Sequence, residues 1–207
     1  MYARRFASML LMAQLIETAK SGTTTDRVGE RAYRMRASGF GLGFVALASV
    51  LVQVGAHPVT WALLLLNALV WPPLARLLSQ RAGDAAPAEV RNLLIDSAMG
   101  GVWIALMQFN LLPSVLLALV LAIDKMHFGG WQLLLRGIAV QLATCVLTVA
   151  IHGLYFTPQT TMLNVFASLP LLIVYPLALS ASAYSLARMV REQNRQLLEL
   201  HHAGIER

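Results

Sequence analysis

Apolar runs separated by short polar breaks set the pattern of this chain. The successive apolar stretches are Ala37 to Ala56, Val59 to Leu78, Asn92 to Asn110, a run after Ser114 to about Ala122, Trp131 to Tyr155, and Met162 to Tyr184. Several reach the roughly 20 residues that a helix needs to cross a hydrocarbon core. The pattern therefore predicts an all-α fold, an integral membrane bundle of six helices. Three breaks are short and uncharged: Gly55-Ala56-His57-Pro58, Asn110-Leu111-Leu112-Pro113-Ser114, and 156–161. Two are polar loops, Ser79 to Arg91 and the segment with Asp124, Lys125, His127 and Gly129-Gly130. The last stretch passes into Ser185–Arg207 with no helix breaker before Gly204. One helix is expected there, extending tens of ångströms beyond the bilayer at about 1.5 Å per residue. Such a helix can transmit a movement made inside the membrane.

Smaller features refine the elements. Gly39, Gly41 and Gly43 in span one permit close approach of a neighbouring helix, or reflect the ordinary tolerance of glycine in membrane helices. Trp71-Pro72-Pro73 must interrupt the hydrogen-bond ladder near the end of span two, which predicts a kink or a short re-entrant end. Ahead of the spans, Met1 to Lys20 begins with Arg4-Arg5 and places Phe6, Met9, Leu10, Met12, Ala13 and Ile16 on one wide helical arc. An interfacial or partner-packing helix is expected, with a loosely ordered leader as the alternative. Glu17 and Lys20 interrupt the pattern of a secretory signal. The expected organisation is 1–25, amphipathic helix and SGTTT joint; 26–184, six-span domain; 185–207, cytoplasmic signalling helix.

Composition agrees: 57% of the 207 residues are hydrophobic and 13% charged, outside the soluble range. The formal charge of +6 would suggest nucleic acid in a soluble protein, but its placement gives another account and no nucleic-acid partner is expected. Apart from Arg76, every Lys and Arg lies in the N-terminal segment, in 78–91, in 125–136 or after Tyr184. The turns near 56, 111 and 157 carry no charge. The positive-inside rule then places both termini in the cytoplasm, as an even number of crossings requires. The single cysteine, Cys145, excludes an intramolecular disulfide.

No metal-binding helix signature, phosphate loop or G-x-S-x-G elbow is present, and the five histidines are scattered, so no catalysis, metal or cofactor is expected of this chain. Ionisable groups in the spans carry more information, because burial is costly unless they pair or reach an interface. Asn92, Asp96, Asp124 and Arg136 form the candidate intramembrane network. Either Arg136 pairs with Asp96 or Asp124 and locks three helices, or each snorkels separately. Asn67, Gln141 and Thr144 are placed for interhelical hydrogen bonds. A pocket between these helices would be apolar, favouring a hydrophobic or amphiphilic ligand. In the tail, Ala183, Leu186, Val190, Gln193, Leu197 and Leu200 alternate three and four apart, a short a/d seam that predicts a parallel homodimeric coiled coil. Leu198, off the seam, leaves a membrane-surface helix as the competitor.

Asn92-Leu93-Leu94-Ile95-Asp96, Gly101, Trp103, Met107 and Asn110 with Leu112-Pro113-Ser114 resemble the membrane-associated sensor type 2 domain. So do Trp71-Pro72 with Leu74-Ala75, Gly129-Gly130, and Ser168-Leu169-Pro170 with Tyr175-Pro176. The resemblance runs from about Arg31 to Leu198. It implies a sensor of the bacterial inner membrane whose last helix leads to a diguanylate cyclase or a class III adenylate cyclase. The chain ends at Arg207 without a GGDEF-type motif, so that output is expected in cis beyond it or on another chain. Membrane lipids and a second copy are the other expected partners. A small transporter or channel subunit is the alternative reading.

Overall fold

The computed structural model describes Glu30, residues 33–82 and residues 84–205, with side chains after residue 181 described in part. The expected N-terminal helix and its joint lie outside these residues. So do the side chains of Leu186, Gln193, Leu197 and Leu200 in the tail seam. Among the described residues the chain is all helix with connecting turns.

Helix α1 is Tyr33–Gln53, apolar enough to cross a membrane. His57 caps the next helix, its Nδ1 accepting from the Val59 amide at 3.3 Å, and Pro58 occupies the first turn. That position suits proline, whose missing N–H would have had no helical partner. Helix α2 (Pro58–Leu69) and helix α3 (Trp71–Arg81) meet at an angle of 44°. Pro72 and Pro73 supply no amide hydrogen to close the ladder across that joint, so the chain bends there.

The polar segment 79–91, read from sequence as a loop, is mostly helical. Helix α3 runs to Arg81, and helix α4 (Ala85–Leu106) starts after only three residues. Asp84 makes the start possible by accepting the Ala86 amide at 3.3 Å, a side-chain cap for one of the unpaired first-turn donors. Polarity here marked a buried face, described below. Gln108 and Phe109, both at positive φ, then turn the chain into helix α5.

Helix α5 (Leu111–His152) is broken at Gly130, with φ 62° and ψ −156°. Leu121 and Gln141 would stand about 30 Å apart on a straight helix. Yet side-chain atoms of both lie within 4 Å of where a Cβ would stand on Gly100. The chain therefore reverses at Gly130, giving antiparallel arms 111–129 and 131–152. The first arm outruns the apolar stretch to Ala122 because Asp124 and Lys125 turn inward. Helix α4 packs along both arms. Gly130 is in a backbone region open essentially to glycine alone, and an added Cβ there meets nothing within 4 Å. Gly130→Ala is accordingly expected to cost about 1–3 kcal/mol through backbone strain, read as a lowered midpoint in detergent-monitored unfolding.

Helix α6 (Met162–Ile205) keeps Pro170 and Pro176 inside one continuous element of 44 residues, roughly 66 Å long at 1.5 Å per residue. Two apolar clusters hold the helices together. One joins Leu47, Val50 and Leu51 to Leu64, Trp103 and Met107; the other joins Leu116 and Val120 to Leu171 and Tyr175. Outside them, Leu142, Val146 and Ile151 on the second α5 arm are 61–72% exposed. An apolar surface of this kind is a liability in water and the ordinary exterior of a membrane protein.

The three uncharged turns gather at one end. Asn110 Nδ2 donates to Gln159 O at 2.8 Å and to Gln53 Oε1 at 3.3 Å, and Gln53 Nε2 donates to the same carbonyl at 3.1 Å. Leu111 N donates to Pro158 O, and Thr157 N to Gln108 O. Asn164 also donates to Gln53. The charged residues of α1, α3, α4 and the α5 reversal lie at the opposite end.

Candidate functional site

Arg36, near the start of α1, is 8% exposed. Its Nη2 donates to Glu89 Oε1 at 2.5 Å and its Nε to Asp96 Oδ2 at 3.1 Å. Asp96 also receives Trp71 Nε1 at 2.6 Å, and Glu89 receives Ser79 Oγ at 3.1 Å. Asn92, fully buried, donates to Ala75 O at 3.0 Å and to Ser79 Oγ at 2.8 Å. One guanidinium thus answers two carboxylates, and indole, hydroxyl and amide groups fill their remaining sites. That is the condition under which burying charge is tolerable. The group ties α1 to α4 and to the bent end of α3.

The sequence-derived candidates separate. Asn92 and Asp96 are in this group. Asp124 is not; its Oδ1 accepts the Tyr175 hydroxyl of α6. Arg136 is exposed and makes no ion pair among the described residues, so the cation at Asp96 is Arg36. Position explains this: Arg136 follows the Gly130 reversal by only six residues and is exposed, whereas Ser97 and Lys125 pack at the neighbouring Gly137. Arg36 and Glu89 were missed because both fell in stretches read as flank and loop. Glu89, Asn92 and Asp96 stand three and four apart, a spacing that puts them on one helical face, and that signal was available.

The other family-pattern residues have identifiable contacts. Trp71 binds Asp96 and Pro72 is fully buried beside it. A Cβ on Gly101 would collide with Gln141 O and Thr144 Oγ1, so glycine lets α4 touch the backbone of α5. Trp103 is in the first apolar cluster, and Asn110 organises the uncharged end. Pro113 is fully buried. Tyr175, between Pro170 and Pro176 on α6, lies with its ring 3.0 Å from the Cβ position of Gly39. In the tail, Val190 is 47% exposed.

Between these helices lies a cavity of about 320 Å³, within the size range of small-molecule sites. Its body is apolar, formed by Phe44, Leu47, Leu64, Met99, Trp103 and Leu117, while Arg36, Glu89, Asp96, Asp124, His127 and Tyr175 reach its other end. Asn67 also lines it, with a buried amide oxygen that accepts no hydrogen bond. Such a shape suits an elongated molecule with one polar end.

Residues 31–119 match the MASE2 domain family. The chain is also 32% identical, over 174 residues, to a protein of Escherichia coli strain K12 described as "Probable diguanylate cyclase DgcC", and equally to its counterpart in strain O6:H1. These alignments cover 83% of this chain and 46% of each relative, so the chain spans about half the length of the curated relatives it matches. No solved structure matches. The matched family residues run from α1 into the first arm of α5, taking in Arg36, Trp71, Asp96 and Gly101. The resemblance to the membrane-associated sensor type 2 domain therefore holds over residues 31–119, where the MASE2 domain is found.

Proposed function

We propose that this chain is a six-crossing sensor of the bacterial cytoplasmic membrane, with both termini cytoplasmic, regulating a nucleotide cyclase through α6. Its parts are an N-terminal amphipathic helix and joint (1–25), the sensor (26–184) and a signalling helix (185–207). The crossings are α1, the bent α2–α3 pair, α4, the two arms of α5, and α6. The uncharged end faces outward and the cationic end inward. The relatives' description favours a diguanylate cyclase over an adenylate cyclase as output.

One observation carries the reading. Tyr175 and Leu179 of α6 are part of the cavity wall, and the same helix continues to Ile205. A hydrophobic or amphiphilic molecule in the cavity meets Tyr175 and its acceptor Asp124 directly. If it binds better to one placement of α6 than to another, it shifts the population by that difference in affinity. The seam of Leu186, Val190, Gln193, Leu197 and Leu200 then passes the shift to a parallel dimer of output domains.

The test is a fusion of the chain to a diguanylate cyclase catalytic domain, assayed in vesicles with and without bacterial lipid extracts. Gly43 lines the cavity, and a Cβ added there meets nothing within 4 Å. Gly43→Leu is expected to fill the cavity, to keep or raise stability by up to about 1 kcal/mol, and to flatten the response. If extracts leave the parent fusion unchanged, or the chain alone takes up solutes into vesicles, the sensor reading fails.

A further inference from the structure

The polar end of the cavity is not balanced in charge. Glu89, Asp96 and Asp124 reach it, with Arg36 as the guanidinium among them. Arg36 is already engaged by Glu89 and Asp96. Asp124 forms no ion pair among the described residues; a neutral phenol, Tyr175, is its hydrogen-bond partner. Lys125 is not part of the cavity wall, and its buried Nζ has no hydrogen-bond partner among the described residues. Its aliphatic stem packs against Gly137, at 2.9–3.1 Å from the Cβ position there, on the side of the arm that faces α4 and the second arm.

Three aromatic rings line the same cavity as this carboxylate. Phe128 follows Asp124 by one helical turn, Tyr175 is bonded to it, and Phe40 lies one turn beyond Arg36; all three line the cavity. Ring faces attract cations, quaternary ammonium above all, and most strongly where water is excluded. A carboxylate that makes no ion pair among the described residues, in a cavity lined by three rings and otherwise largely apolar, is a receptor for positive charge. It is a poor receptor for a fatty-acid anion, because Arg36, the guanidinium that lines the cavity, is taken by Glu89 and Asp96.

We propose that the cavity takes an amphiphile with an ammonium head, its charge held by Asp124 and the rings of Phe40, Phe128 and Tyr175, and its chain running past Phe44 toward Trp103. This rests on the cavity being the sensor site, and adds the head-group class. No covalent step is involved. Entry of the head places a cation where Tyr175 now donates, so the ligand competes for the acceptor that ties α6 to the first arm of α5.

The test uses the chain in lipid nanodiscs with three ten-carbon probes: decyltrimethylammonium, decanol and decanoate. Saturable binding is measured against empty nanodiscs and against Gly43→Leu. The ammonium is expected to bind about tenfold or more tightly than decanol, with decanoate weakest. Asp124→Asn is expected to remove that preference and leave decanol binding in place. The head-group order on the unaltered chain stands as a result even if the variant does not fold. Decanoate or decanol binding as tightly as the ammonium overturns the head-group assignment and leaves the cavity reading intact. Binding of all three that is unchanged in Gly43→Leu, or absent throughout, overturns both.

Discussion

Arg36→Met is expected to be the most damaging single substitution in this chain, costing about 3–5 kcal/mol. The reason is what it leaves behind. Glu89 and Asp96 would remain buried, 9% and 4% exposed, with no cation between α1 and α4. Breaking a buried ion group by removing one partner is far more costly than the group's net worth, because the surviving charges stay desolvated. Asp96→Ala should cost less, since Arg36 retains Glu89, though the Trp71 indole N–H then loses its acceptor. Asp96→Asn should cost least of the three, having kept an oxygen for Trp71. Arg136→Met, in contrast, is expected to stay within about 0.5 kcal/mol, as for an exposed residue without a partner. Denaturant-mixed micelle unfolding gives the order directly. A loss at Arg136 equal to that at Arg36 would contradict the assignment of the buried group.

Gly101→Leu should have the next largest effect. At this point α4 rests on the backbone of α5, and a Cβ would meet Gln141 O and Thr144 Oγ1 and stand 2.9 Å from Cys145 N. A flexible side chain can move aside, but a carbonyl and an amide within a helix cannot do so without displacing the arm. Overpacking of this kind costs about 1–3 kcal/mol even for small additions. Leucine should separate α4 from the second α5 arm and lose the folded state at growth temperature. Gly41→Ala provides the comparison, because nothing lies within 4 Å of its Cβ position. It should be neutral or stabilising by about 0.5–1 kcal/mol, the usual gain over glycine in a helix. Thermal melts of the two variants side by side decide the matter. Equal melting temperatures would mean that α4 and α5 are not in backbone contact at Gly101.

Much of the helical plan is legible in the sequence because a bilayer imposes a simple rule on it. Apolar runs as long as a crossing, such as Ala37 to Ala56 and Met162 to Tyr184, have few other common uses, and Pro72-Pro73 permits no unbroken helix through residue 71. Helix α4 was harder to place. Its first two turns are polar, with Glu89, Arg91 and Asn92, and hydropathy alone reads them as loop. They are helical because α1 and α3 offer partners for Glu89 and Asn92, a fact of tertiary packing that no local pattern contains. The pairing of charges was illegible for the same reason. Asp96 had several cations within plausible reach by depth, and the choice of Arg36 over Arg136 depends on which faces meet. Gly129-Gly130 was visible as a polar break, but the reversal itself rests on the positive φ at Gly130. Tyr175 and Asp124 were each recognisable, one in the family pattern and one as an intramembrane acid. Nothing in their spacing announces that they touch.

That contact is central to the proposed mechanism, because it joins the cavity to the helix that leaves the membrane. The most direct measurement is the lipid-extract response of the cyclase fusion carrying Tyr175→Phe. This substitution keeps the ring that packs against Gly39 and removes only the hydroxyl that donates to Asp124. The account predicts that the extract still binds and that the change in cyclase activity is lost, leaving basal activity fixed at one level. A Tyr175→Phe fusion that responds as fully as the parent would contradict it.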